Sequence, residues 1–273
     1  SQSDGTLGYP KKTYYDRTTI RMNSDYVLLR LKNREVVKFG ENLTVSLYNS
    51  NSVSQGNIYG NSIHTALVYT PLLPAYKEDG SFYTYEDQVA DGWQQADGAY
   101  NLLESYSIGE SENKRMRLQG NAWLEINPIK DLKIKSSAGW NYYHGESRSY
   151  QPEYILSGND SNPSDDVSQS QRYGSRWSWE NTLNYVEDFG EHHFDILAGQ
   201  SLEKWGMGSS VGAKNSFSLF PGSFEHAYIT NTQGVDAANT EVSGSPNTQG
   251  ALSSFFGRLN YNYKETYMFS AVL

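Results

Sequence analysis

The sequence predicts an all-β chain: about eight antiparallel strands of a transmembrane outer-membrane β-barrel, with long extracellular loops. Three observations predict it. Apolar residues recur with a period of two rather than 3.6. Aromatics reach 14% (22 Tyr, 10 Phe, 6 Trp) while hydrophobic residues total only 37%. Short turns and long loops alternate strictly along the chain.

Each strand follows from its alternation. From Thr18 to Tyr26 the even positions are apolar or small and the odd ones polar. After Lys32-Asn33-Arg34, Val37, Phe39, Leu43, Val45 and Leu47 share one face, opposite Lys38, Gly40, Asn42, Thr44 and Ser46. From Lys114 to Ile126 the residues Met116, Leu118, Ala122, Leu124 and Ile126 alternate with Arg115, Arg117, Gln119, Asn121 and Glu125, and Trp123 breaks the rule on the polar face. Asn127 to Asp131 reads as a turn, since proline is excluded from central strands. The chain returns through Leu132, Ile134, Ala138, Trp140 and Tyr142. Tyr173, Trp177, Trp179, Leu183 and Tyr185 share the next face. A turn over Glu187 to His193 leads into Phe194, Ile196 and Ala198. Phe255, Leu259, Tyr261 and Tyr263 follow, and Asn262 to Thr266 turns the chain into Tyr267, Phe269, Ala271 and Leu273.

The connections set the class. Those within pairs, at about 32–35, 127–131, 187–193 and 262–266, are short. Those between pairs, at about 50–112, 144–171 and 203–249, are long. A barrel with one face on lipid and the other on a polar lumen accounts for the mean hydropathy of −0.68, and closure satisfies every backbone group where there is no water. One partial barrel region over 1–273 is the expected domain organisation.

Composition removes other classes. The chain has 273 residues, no cysteine and a formal charge of −9. No run approaches the ~18 apolar residues of a membrane helix. The acidic balance argues against nucleic acid as a partner, and without cysteine there is neither a disulfide framework nor a thiolate metal site. Disordered chains share the low hydropathy but are poor in aromatics. An excess of Tyr and Trp suits membrane-interface belts or sugar-binding faces. Ser1 to Ile20 holds no apolar core of signal-peptide type, so the expectation is that none exists or that the natural chain starts earlier.

The 50–112 loop carries nine acids (Glu78, Asp79, Glu86, Asp87, Asp91, Asp97, Glu104, Glu110 and Glu112) against Lys77 alone, which is −8 of the total charge. Within it Asn61 is placed to cap a short helix through Ile63, Ala66 and Leu67 that ends at Thr70. Pro71-Leu72-Leu73-Pro74 reads as extended and Glu78-Asp79-Gly80-Ser81 as a tight turn.

Two stretches carry a resemblance. The first combines Glu41-Asn42-Leu43-Thr44-Val45-Ser46, Gly56-Asn57-Ile58-Tyr59 and Pro71-Leu72-Leu73-Pro74-Ala75-Tyr76-Lys77-Glu78-Asp79-Gly80-Ser81-Phe82-Tyr83. The second, more specific, is Ser253-Ser254-Phe255-Phe256-Gly257-Arg258-Leu259-Asn260-Tyr261-Asn262-Tyr263 with its return through Tyr267 and Phe269. They resemble the early barrel and a mid-barrel hairpin of the SusC/RagA family of TonB-linked outer-membrane transporters of Bacteroidetes. The resemblance implies a Gram-negative outer-membrane location, uptake of oligosaccharides or similar nutrients, a SusD-like surface lipoprotein as partner, and coupling to the TonB complex through an N-terminal region not seen here. Signal peptide, plug and C-terminal barrel are also missing from the pattern. Barrels of this type have about 22 strands, so eight form roughly a third of the wall, and the chain reads as a fragment.

Candidate sites are few. Tyr59, Tyr69, Tyr76, Phe82, Tyr83, Tyr85, Trp93, Tyr100 and Tyr106 in the 50–112 loop either stack on sugar rings or pack the loop onto itself, the barrel or a partner; packing is the favoured reading. As substrate-binding residues the leading choices are Trp93 and Tyr83, with Tyr85 and Tyr100. Trp140, Tyr142, Trp177, Trp179, Tyr261 and Tyr263 read as interface girdle. No catalytic residue, cofactor or metal is assigned. The acids lack D-x-D-x-D-G spacing, and Asp160 to Asp166 is only loosely suggestive of Ca²⁺. His192 and His193 read as turn residues, since in a strand they would point to opposite faces. Gly206 to Gly212 lacks the spacing of a dinucleotide fingerprint, and no Ser-His-Asp context appears. The rival reading is a soluble or secreted all-β carbohydrate-binding or adhesive protein; a polysaccharide-active enzyme ranks below both.

Overall fold

Strands that alternate this regularly bury nothing alone and must be paired on both edges. The computed structural model describes residues 13–32, 34–51, 62–93, 99–234 and 238–273. Its main element is a 9-stranded antiparallel sheet. In chain order the strands are β1 (Tyr14–Leu31), β2 (Arg34–Asn51), β3 (Glu110–Ile129), β4 (Leu132–Gln151), β7 (Asp166–Phe189), β8 (His192–Ser216), β9 (Thr240–Pro246), β10 (Gly250–Tyr263) and β11 (Tyr267–Val272). A separate two-stranded ribbon, β5 (Tyr154–Ser157) with β6 (Asp160–Asn162), lies between β4 and β7. The first long loop carries helices α1 (Ser62–Val68), α2 (Tyr85–Ala90) and α3 (Leu102–Ser107).

Sequential strands are neighbours throughout, in the order β1-β2-β3-β4-β7-β8-β10-β11. Both β9 and β10 run antiparallel to β8, along its far and near halves respectively. They therefore act as one strand, broken at 247–249, and the sheet presents eight rows, as the alternation predicts.

The register aligns the apolar positions of every strand on one face. One row runs Ile20–Val45–Leu118–Tyr142, another Tyr26–Phe39–Leu124–Ser136. Ile20, Tyr26 and Leu124 are exposed (56%, 51% and 38%) and the others half-buried against their strand neighbours, because none of the described residues covers this belt. Aromatics gather near both ends of this belt. Trp140 stacks on Tyr142 and pairs with Trp177 on the loop side. Phe194, Tyr261, Tyr263 and Tyr267 cluster on the hairpin side. Two girdles flanking an apolar band are what a wall in lipid presents.

The opposite face is polar and tied by charge. Asp195 accepts from Asn184 (2.8 Å), Arg258 (2.8 Å) and Asn260 (3.3 Å), and Ser270 donates to Asn260 at 2.7 Å, linking β7, β8, β10 and β11. Arg176 pairs with Glu203. The Trp123 anomaly is resolved here. Trp123 faces Gly40 across the β2–β3 pair, where a Cβ would collide with the indole, and Lys135 sits 4.9 Å from its ring. Tyr143 over Gly174, Phe256 over Gly199 and Trp205 over Gly250 repeat the device on the same face. The ring covers backbone that glycine leaves bare.

Several expectations are corrected. Pro128 lies inside β3, at a register shift between Ile126 and Ile129, where a bulge excuses its missing donor. His192 and His193 open β8 rather than forming the turn. His192 joins the outward aromatic cluster through the Tyr261 hydroxyl (2.7 Å), and His193 contacts Asp188 (2.6 Å). The loops at 144–171 and 203–249 are shorter than expected, at 152–165 and 217–239, because β4, β7, β8 and β9 extend past the apolar band. Pro71 to Leu73 turns instead of extending, with Leu73 N–H donating to the Thr70 carbonyl at 3.3 Å and Leu73 itself buried. Asn33, Tyr59, Asn61, the Gly56–Tyr59 stretch, Gln94, Gln95 and Asp97 lie outside the described residues.

Candidate substrate-facing lobe and relatives

The acidic loop folds into a small lobe of its own. Its turn at 78–81 forms as the Asp-Gly pair predicts. Lys77 N–H donates to Ser81 O (2.8 Å), Gly80 takes φ +83°, and Asp79 accepts from both the Ser81 N–H (2.9 Å) and hydroxyl (2.6 Å). Tyr76 stacks on Phe82 across it, ring centroids 5.2 Å apart. Thr84 and Asp87 then form a reciprocal capping box that starts α2. These backbone and hydroxyl donors hold the Asp87 carboxyl below its ordinary range, and Lys77 adds to the effect at 3.1 Å. Asn101 caps α3 through Leu103 and Glu104 N–H, and its amide donates to Ala75 O (2.8 Å) and Tyr83 O (3.2 Å). One buried side chain therefore ties helix, turn and strap together.

The four candidate residues end in different places. Tyr83 is 8% exposed and its hydroxyl donates to Asp91 at 2.6 Å, a contact that pushes the phenol up to about 12. Tyr100 is equally buried, beside Ala99 and Asn101 in the lobe interior. Tyr85 is half-buried, with its hydroxyl against Gly158 in the β5–β6 turn. Trp93 is 41% exposed, and its N–H ends α2 on the Gln88 carbonyl at 2.9 Å. Of the four, Trp93 alone presents a largely open ring.

The lobe also holds an uncompensated carboxyl. Among the described residues, Glu104 Oε2 is buried without a hydrogen-bond partner, as are both amide atoms of Gln88. Burial, seconded by the Asp87 carboxylate, lifts Glu104 to about 7 against the pull of Lys77. A raised carboxyl favours the folded lobe fully below its free value of 4.5, and that contribution is lost as pH rises through about 7. Glu104 is only half-buried as a whole, so the effect is discounted to about 1 kcal/mol, or roughly fivefold in lobe opening. Limited proteolysis of the full-length parent should therefore cut the lobe several-fold faster at pH 8 than at pH 5.5. In Glu104→Gln that difference should vanish; a difference that persists in the variant assigns it elsewhere.

No protein-family model matches the chain. TonB-dependent receptor P26 of Formosa agariphila is 26% identical over 220 residues, which is 78% of this chain and 20% of that receptor. TonB-dependent receptor SusC of Bacteroides thetaiotaomicron is 23% identical over 226 residues, 77% of this chain and 21% of SusC. Among solved structures, the RagAB peptide importer in its open-open state superposes with a TM-score of 0.69 at 19% identity, over 94% of this chain and 26% of that one. The chain is similar to a section of SusC/RagA-type TonB-dependent receptors. The receptor section is barrel wall, its home is the outer membrane of a Gram-negative cell, and its relatives are receptors and importers rather than enzymes. It spans about a fifth to a quarter of the curated receptors it matches, 20% of P26 and 24% of receptor P3 of Formosa agariphila.

What the sequence did not reveal in this SusC/RagA-type section is the set of ties. Asn101 and Asp91 carry no motif that marks them as the lobe's internal partners, and β9 shows no apolar alternation in Thr240–Pro246.

Proposed function

We propose that this section forms part of the wall and outer vestibule of an importer that takes oligosaccharides or similar nutrients across the outer membrane, with a SusD-like surface lipoprotein closing the extracellular side and TonB supplying the drive. The observation that carries this is the registered two-faced sheet, apolar outward and charged inward, on the backbone path of the RagAB importer. A peptide cargo is the second reading, favoured by the description of RagAB as a peptide importer. In both, the acidic lobe stands outside the cell and the hairpins at Lys130–Asp131 and 264–266 stand in the periplasm. Cysteines at Ser81 and Asp131 of the full-length parent check this with an impermeant thiol reagent on intact cells: Ser81 should label and Asp131 should not. Labelling at Asp131 alone reverses the orientation.

Trp93 is the residue proposed to touch cargo, with Tyr83, Tyr85 and Tyr100 supporting its lobe. A flat exposed indole stacks on the C–H face of a sugar and equally on a peptide side chain. Losing one such contact costs on the order of 1 kcal/mol, so Trp93→Ala in the full-length parent should slow uptake several-fold without abolishing it. Growth on the limiting glycan, compared with growth on the limiting peptide, reads which cargo suffers. Normal uptake of both at normal surface abundance would remove Trp93 from recognition.

A further inference from the structure

The outward face of the sheet does not end with the apolar belt. β3, β4, β7 and β8 continue beyond it, and two polar rows stand above the belt in register: Lys114–Glu146–Gln171–Val211, then Glu112–Arg148–Gln169–Ala213. They share the face of Met116, His144 and Tyr173, one step lower. The segment after β8 folds down onto this face instead of over the lumen. Tyr150, Val167 and Ala227 are buried there, with Phe224 and Ile229 packed against them. Arg148 pins the segment. Its guanidinium lies 4.3 Å from the Phe224 ring and 4.5 Å from the Tyr228 ring, and donates to the Glu225 carbonyl at 3.2 Å.

Wall and segment enclose a cavity of about 480 Å³ whose lining includes Lys114, Glu146, Gln171 and Tyr228. It adjoins a second cavity of about 370 Å³ that shares Lys114 and Glu146 but has Leu47 and Met116 in its lining. The pair forms one amphipathic groove: amides, mixed charges and a phenol ring above, aliphatic side chains below, opening on the lipid side of the wall.

We propose that this groove seats the sugar-phosphate headgroup of lipopolysaccharide, the glycolipid of the outer leaflet. Position and chemistry agree. The groove is continuous with the lipid-facing belt, and the molecule found at that height outside a Gram-negative barrel is a polyhydroxylated, phosphorylated head above acyl chains. Lys114, half exposed and paired with Glu112 at 3.0 Å, would exchange that surface partner for a phosphate. Glu146 and Gln171 match hydroxyl donors and acceptors, and Tyr228 offers a ring to a sugar face. Leu47 and Met116 meet the upper methylenes of the chains. The groove lies on the opposite face of the wall from the lumen, so it is independent of cargo recognition.

The test uses the full-length parent, delipidated in mild detergent and offered rough lipopolysaccharide, lipid A without core sugars, or phosphatidylglycerol, with bound lipid counted by native mass spectrometry. Rough lipopolysaccharide should be retained about tenfold more tightly than phosphatidylglycerol, and Lys114→Ala and Gln171→Ala should each erode that preference several-fold. Heat-modifiable gel mobility verifies that each variant is a folded barrel. If a variant does not fold, the three-lipid comparison on the unaltered receptor decides. Equal retention of the three lipids overturns the proposal, and so does an unchanged preference in both folded variants. Lipid A retained as tightly as the rough form would support the proposal, since both carry the phosphorylated disaccharide, and would assign the contact to that disaccharide rather than to the core sugars. Self-association that disappears in Lys114→Ala while lipid retention does not would give the groove to a neighbouring protein.

Discussion

Leu124→Arg in the full-length parent should destabilise the barrel by about 2–4 kcal/mol, whereas Gln119→Arg should change it by less than about 0.5 kcal/mol. The two residues sit on the same strand but on opposite faces. Leu124 faces outward between Phe39 of β2 and Ser136 of β4, midway along the belt, so a guanidinium there must leave water for hydrocarbon or distort the bilayer to avoid it. Gln119 faces the lumen between Thr44 and Asn141, where an added charge stays hydrated. Urea unfolding in lipid vesicles, followed by tryptophan fluorescence, measures both. Equal costs would mean that neither face meets lipid, and the soluble all-β reading would have to be revived. The reverse order would turn the wall inside out.

The contrast between these residues was visible in the sequence because lipid enforces it. Where hydrocarbon touches alternate positions, as from Met116 to Ile126 and from Leu132 to Tyr142, the pattern is plain and the strand is legible. Beyond the belt hydrocarbon touches neither face. Ser147, Ser149, Ser168 and Ser170 pair across β4 and β7 as regularly as any core positions, yet no solvent difference marks their alternation. That is why the strands run farther than the 144–171 and 203–249 boundaries suggest, and why β9 is invisible. Trp123 was legible only as an exception. Its explanation lies in Gly40, a neighbour through register and far away in sequence. The same limit applies to the acidic lobe. The Asp79-Gly80 turn is a local property and forms as read. The burial of Tyr83 and Tyr100 depends on Asp91 and Asn101 arriving from elsewhere in the loop, and composition carries no record of which aromatics find such partners.

Gly206→Ala should destabilise the receptor by about 2–4 kcal/mol, well beyond the roughly 1 kcal/mol expected of Gly222→Ala. Gly206 sits where β8 passes the break between β9 and β10. The β7–β8 register shifts at this point, between Ser175 and Trp177, and the chain adopts φ +74° at Gly206. A Cβ there would collide with the Thr248 carbonyl oxygen and carbon and approach Gln249 Cα at 2.9 Å. Backbone cannot rotate aside as a side chain does, so the 247–249 connector must move, and with it the hydrogen bond from Asn247 N–H to the Gly208 carbonyl at 3.0 Å. Gly222 is the control, because it has nearly the same φ, +77°, but nothing within 4 Å of the position a Cβ would take. The difference between the two variants therefore isolates close approach from left-handed strain. Thermal loss of the heat-modifiable barrel gives both values in one assay. If the two alanine variants melt together, the β9–β10 connector is free to yield at Gly206. The continuous seventh row would then be held by the β8–β10 pairing alone, with β9 an ornament on the loop side.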